Sequence, residues 1–115
     1  MAVLRRKDNS KILLSDLKIA DRLWTRAKGL LGTRSIKDSE GLWIHDCNSI
    51  HTFFMKYAID CLFLDNEMKV KRIVKNVVPS RVVLPIWGAK SVIEVKAGIA
   101  EKLELSVGEM VDVGN

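Results

Sequence analysis

Residues 41–65 hold both histidines, both cysteines and all three phenylalanines of the chain, set among aliphatic residues. Polar side chains in such an apolar run must find hydrogen bonds or shape a site, because burying one unpaired costs about 1–3 kcal/mol. Cys47 and His51 are four residues apart and His45 lies two before Cys47. On a continuous strand all three would project to one face, which makes His45, Cys47 and His51 candidate metal ligands. The stretch Asp46-Cys-Asn-Ser49 favours a bend that would spoil this alignment, and zinc wants a fourth donor or a water. The expectation is therefore no bound metal and no other cofactor, with buried, satisfied side chains instead. A thiol–imidazole pair of Cys47 and His51 is the alternative chemistry, although only Asp46 or Asn48 could orient it.

Asp60 is the carboxylate of interest, since it sits between Ile59 and the apolar Cys61-Leu-Phe-Leu64 and should enter a sheet half-buried. A carboxylate there needs compensating partners, for which Arg26, Arg34 and Lys56 are the candidates. A structural role is favoured over acid–base catalysis, because hydrolytic chemistry of that kind generally uses two carboxylates. His51, Thr52, Phe53, Phe54 and Met55 would add an imidazole and a hydroxyl to a soft apolar wall. The expected ligand-binding set is Arg26, Arg34, His51, Phe54, Met55 and Asp60. The chain has no phosphate-cradling glycine loop, dinucleotide fingerprint, Cys-x-x-Cys pair or Gly-x-Ser-x-Gly elbow.

The elements that must position these residues are mostly short strands. Ile12–Leu14 and Leu17–Ala20 read as extended pieces separated by a turn at Ser15-Asp16. Asp21 is a plausible N-cap for a helix over 21–31, where Leu23, Ala27, Leu30 and Leu31 recur at helical spacing and Gly32 stops it. Leu42–Ile44 and Ile50–Met55 read as strands on either side of the bend. Cys61–Leu64 and Lys69–Val74 form a hairpin about Asp65-Asn-Glu-Met68, the first arm buried and the second with one wet face. Ser91–Val95 and Met110–Val113 close the fold, with one or two helical turns near 98–105. Glu94 should make a cross-strand salt bridge. Trp87-Gly88 should cap a barrel end or border a pocket. The fold class is thus mainly β: a small single-domain barrel or sandwich over 1–115, with one short helix.

A chain of 115 residues, 48% hydrophobic, suffices for one core. No apolar run approaches the roughly 20 residues of a membrane-spanning helix, and the opening residues lack a signal-peptide stretch. The expected location is cytoplasmic, and two cysteines do not make a disulfide framework. Net charge is +5, with ten Lys/Arg against three Asp/Glu in residues 1–37 and nine against eleven beyond. Only Trp24 lies among the N-terminal cations, which weighs against a nucleic-acid platform and for a solvated basic face.

With these segments in order, the chain resembles the domain-of-unknown-function 192 family. The resemblance is carried by Arg26-Ala-Lys-Gly-Leu-Leu-Gly-Thr-Arg34, Glu40-Gly-Leu-Trp43, Phe53-Phe-Met-Lys56, Ile59-Asp-Cys-Leu-Phe-Leu-Asp65, Val92-Ile-Glu-Val-Lys-Ala-Gly98 and Leu105-Ser-Val-Gly-Glu109. Leu31, Phe54 and Tyr57-Ala58 depart from the family pattern toward a less polar pocket. The resemblance implies a compact β domain with one helix and no established activity. The functional expectation is a non-catalytic accessory module that binds a small ligand or protein partner. A metal- or thiol-dependent enzyme using Cys47, His51 and Asp60 is the alternative, and a basic nucleic-acid-binding accessory is a second.

Overall fold

The computed structural model describes residues 2–20, 35–53 and 55–115; the helix expected over 21–31 and the candidates Arg26, Arg34 and Phe54 lie outside them. The described strands are β1 (Ala2–Arg6), β2 (Ile12–Ala20), β3 (Glu40–His45), β4 (Ile50–His51), β5 (Ile59–Leu64), β6 (Val70–Val77), β7 (Val82–Val83), β8 (Ser91–Lys96) and β9 (Val111–Gly114). A helical turn, α1 (Ile99–Lys102), follows β8 within the expected 98–105 segment.

Seven strands form one sheet in the order β6-β5-β8-β3-β2-β1-β9, and β4 pairs with β7 in a small second sheet. Within the large sheet β2 and β3 run parallel, Leu17 beside Gly41 and Ile19 beside Trp43. Parallel neighbours require a crossover connection between the end of β2 and the start of β3. The remaining pairs are antiparallel. The two edges, β6 and β9, meet at one end only. There Lys69 bridges Met110, the Val70 N–H donates to Glu109 O at 2.8 Å, and the Val111 N–H donates to Met68 O at 2.9 Å. The sheet curls on itself without closing along its length, giving a mainly β, barrel-like fold.

Strand alternation divides the apolar residues between the two faces. Leu62 and Leu64 of β5, Ile93 and Val95 of β8, Leu14 and Leu17 of β2, and Leu4 and Val111 join Ile99 and Ala100 of α1 in the concave core. Ile59, Cys61 and Phe63 of β5 alternate to the outer face. They pack there with Leu42, Ile44, Val92, Cys47, Ile50 and Met55. β5 is buried on both faces, as the apolar run Cys61–Leu64 predicts, and it pairs with β6 as the expected hairpin.

Three expectations change in detail. Ser15-Asp16 is no turn: β2 runs through it, and Ala2 pairs with Leu17 while Leu4 pairs with Leu14, so β2 carries one residue more than β1 there. The polar pair marks a β-bulge, held by the Asp16 N–H on Ser39 O at 3.1 Å. Ile50–Met55 is a strand only at Ile50–His51, because the Met55 N–H turns back to Thr52 O at 3.2 Å. Ala2–Arg6, for which the sequence predicts no element, forms β1 and stands between β2 and β9.

Candidate functional site

Asp60 is buried, and its partners among the described residues are backbone amides. Oδ1 accepts the Asn76 N–H at 2.8 Å, and Oδ2 accepts the N–H groups of Gly98 at 2.9 Å and Ala100 at 3.1 Å. The local geometry explains this. Ile59 pairs with Val77 but Cys61 with Val74, so β6 has one residue too many opposite Asp60. Asn76 takes φ 54° in the resulting bulge and Gly98 takes φ 94° before α1. Both conformations turn N–H groups away from the ladder, and one carboxylate collects them. The expected Lys56 partnership is absent. Asp60, Lys75, Asn76, Ala97, Gly98 and Glu101 border an open groove of about 390 Å³.

On the opposite face, Glu94 lies in register with Leu42 on one side and Cys61 on the other. It is buried, and the expected cross-strand salt bridge is not formed with any described residue, since its neighbours at that level are apolar. Burial pushes its carboxyl up to about 7. Burial likewise pushes the Cys61 thiol well above its ordinary value, with Glu94, Asp60 and Cys47 adding to the effect. Cys61 is thus a protonated core residue. Cys47 is buried too, and its thiol donates to Ser49 O at 2.9 Å.

The metal trio does not assemble. His45 tilts against Trp43, ring centroids 4.1 Å apart, whereas His51 is exposed and stacks on Phe53 at 5.3 Å. The bend at Asp46, with φ 50°, breaks the strand that would have aligned them. Among the described residues no three His, Cys, Asp or Glu side chains are grouped to hold a metal ion. Of the expected ligand set, the three described members lie apart, Met55 in the outer core, His51 on the surface and Asp60 toward the concave core, while Arg26, Arg34 and Phe54 lie outside the described residues. The Cys47 thiol donates to Ser49 O, His51 stacks on Phe53 and Asp60 accepts backbone amides.

What the structure does gather is a surface. Thr52, fully buried, organises it: Oγ1 donates to Val78 O at 2.6 Å and accepts the Arg81 N–H at 2.9 Å, while the Thr52 N–H bonds Arg81 O at 2.9 Å. These bonds hold the 78–81 turn so that β7 pairs with β4. Beyond it the Ile86 N–H donates to Asn48 O at 2.9 Å. The segment thus tethered leaves Phe53, Val82, Leu84 and Trp87 exposed by 42, 57, 74 and 91%. Trp87 neither caps a barrel end nor borders the groove. This apolar shelf was missed in the sequence, and so was its charge: residues 68–93 contain six Lys/Arg and no Asp/Glu. The N-terminal cations, by contrast, are partly spent on structure. Arg5 donates to Asn115 O at 2.9 Å. Arg6 pairs with Glu109 and donates to Leu103 O and Glu104 O at 2.9 and 3.0 Å. The Glu109 carboxyl is held below its ordinary range, first by the Ser106 N–H and then by Arg6.

No helix among the described residues is long and apolar enough to cross a membrane. A UPF0127 protein of Thermococcus sibiricus is 32% identical over 114 residues, covering 96% of this chain and 73% of its own. A UPF0127 protein of Pyrococcus abyssi is 41% identical over 64 residues, 56% of this chain and 54% of its own. The fold matches a crystal structure of a protein of unknown function from Novosphingobium aromaticivorans with a TM-score of 0.78 at 21% identity, over 96% of this chain and 82% of that one. The sequence model of DUF192, described as "Uncharacterized ACR", matches residues 3–113, and the chain accordingly belongs to that family.

Proposed function

We propose that this protein is a binding module whose contact surface is the shelf of Phe53, Val82, Leu84 and Trp87. One observation carries the reading: four large apolar side chains stand in solvent on a segment that the buried Thr52 fastens in place. Exposed apolar clusters of this kind mark interaction sites, since solvating them is unfavourable and a stable fold gains nothing from them. The internal chemistry supports the same reading. The Asp60 carboxylate is filled by three amides, the Cys47 thiol donates to a carbonyl, and the Cys61 thiol is held protonated. These groups act as fasteners of the core.

The test is site-specific photo-crosslinking in cells, with the reactive side chain at position 87 and, as control, at Val107, which is exposed and is not part of the shelf. Discrete adducts at 87 that are absent at 107 are the expected result. Equal, diffuse labelling at both positions refutes a dedicated contact surface.

A further inference from the structure

Resting on that reading of the shelf, we infer that its partner is an anionic lipid surface, which the shelf enters with Leu84 and Trp87 while the surrounding cations hold the headgroups. Lys71, Arg72, Lys75, Arg81 and Lys90 are all exposed, and none forms an ion pair with a described residue. Asp46, next to Cys47, whose N–H reaches Lys90 O, lies near one of them, and Asp60 and Glu101 border the groove with Lys75, which leaves Lys71, Arg72 and Arg81 in a stretch that itself carries no acid. Two of these cations are aimed by bulges in β6. Phe63 pairs with Arg72 but Leu64 with Val70, so Lys71 is the extra residue of one bulge, and Lys75 lies in the other beside Asn76. Lys71 leans toward the shelf: its Cε and Nζ lie 3.2 and 3.6 Å from where a Cβ on Gly88 would stand. A cation thus sits beside Gly88, the residue that follows Trp87.

The combination of side chains selects the occupant. A nucleic acid would find platforms in Phe53 and Trp87, but the aliphatic Val82 and Leu84 that complete the shelf give it nothing to stack on. An acidic peptide added to the edge of β7 would need a run of free backbone groups, which Pro79 and Pro85 interrupt on either side of that two-residue strand. Side chains as exposed as Leu84 and Trp87 project outward and line no groove. A headgroup boundary accepts projecting apolar groups, favours an indole at its own level and attracts Lys/Arg set around it.

Vesicle flotation tests this with the full chain, using neutral phosphatidylcholine vesicles and vesicles with about 30% phosphatidylglycerol, at low and high salt. The expected result is at least about tenfold stronger partition into the anionic vesicles, abolished by high salt. Reversal of three cations, Lys71→Glu with Arg81→Glu and Lys90→Glu, should weaken binding by more than about 100-fold, at roughly fivefold per cation. Leu84→Ser with Trp87→Ser should weaken it about tenfold or more at unchanged charge. Unaltered circular dichroism and urea midpoints establish that both variants are folded. Equal partition into both vesicle types, or none, overturns the lipid assignment. So does binding to an oligonucleotide that survives Leu84→Ser/Trp87→Ser, because the cations then serve a polyanion without the shelf. If vesicles fail while position 87 still gives a discrete protein adduct, only the lipid inference falls. If both fail, the shelf reading falls with it.

Discussion

Replacing Asp60 by Asn is the most direct way to test how the fold is fastened, because the two side chains have the same shape and differ in what they can accept. In the native protein Oδ1 serves the Asn76 N–H and Oδ2 serves Gly98 and Ala100. Asn offers one oxygen, so its better orientation keeps Gly98 and Ala100 and turns an NH2 donor onto the Asn76 N–H. The other orientation loses two bonds. A hydrogen bond to a charged group is worth about 1.5–3 kcal/mol, and an orphaned buried amide costs about 1–3 kcal/mol. The substitution should therefore destabilise the protein by about 2–4 kcal/mol, a large share of the 5–15 kcal/mol typical of a domain. Urea unfolding followed by circular dichroism reads the loss as a lowered midpoint at unchanged slope. Hydrogen exchange should accelerate first at Asn76, whose amide loses its acceptor in the preferred orientation. A loss below about 1 kcal/mol, or uniform acceleration with Asn76 no faster than its neighbours, would refute the fastening role.

Glu94 should give stability an unusual pH dependence. Its folded value of about 7 lies above its ordinary 4.5. The native state therefore holds a proton that the unfolded chain releases between those values. The contribution is complete below about pH 4.5 and is lost as pH rises through about 7, amounting to about 3 kcal/mol. Urea midpoints should fall between about pH 5 and pH 8, and Glu94→Gln should flatten the profile; parallel profiles would count against a carboxyl whose proton is held by burial. Thr52→Val should cost about 1–3 kcal/mol by orphaning Val78 O and the Arg81 N–H, and should speed protease cleavage within 78–88, which limited proteolysis with mass spectrometry would locate. Gly41→Ala should cost about 1–3 kcal/mol, since a Cβ there would stand 2.7 Å from Leu14 Cδ1 in the concave core. An unchanged urea midpoint would mean that Leu14 has room to move.

The sequence was most informative where one residue's burial followed from its neighbours. Ile59–Leu64 is apolar at five of six positions and became the doubly buried central strand, and the turn signal at Asp65–Met68 set its hairpin. Ser15-Asp16 misled because a polar pair marks a bulge as readily as a turn, and only the partner strands decide between them. The site was less legible for a related reason. His45, Cys47 and His51 are close in sequence, but the left-handed Asp46 sends their side chains to different faces. Among the described residues the partners of Asp60 are amides of residues 76, 98 and 100, and amides carry no signature in side-chain spacing. The shelf could have been found. An acid-free stretch over 68–93 that sets Val82 and Leu84 between two prolines and Trp87 just beyond the second is its signal in the sequence.

The pairing of β1 with β9 constrains the order in which the molecule can be made. Val3 stands opposite Gly114, and Arg6 reaches Glu109 across 103 residues of chain. At ribosomal speeds of about 5–20 residues per second, β1 emerges roughly 5–20 s before its outer partner exists. Until then β1 can rest only on β2, with one backbone edge unfilled and Leu4 lacking Val111 beneath it. Contacts so distant in sequence also slow the search once the chain is free. A nascent chain of this protein therefore passes through a stage with an open, apolar strand edge, and the bulged register of β1 on β2 is the feature that makes that edge a poor template for other chains.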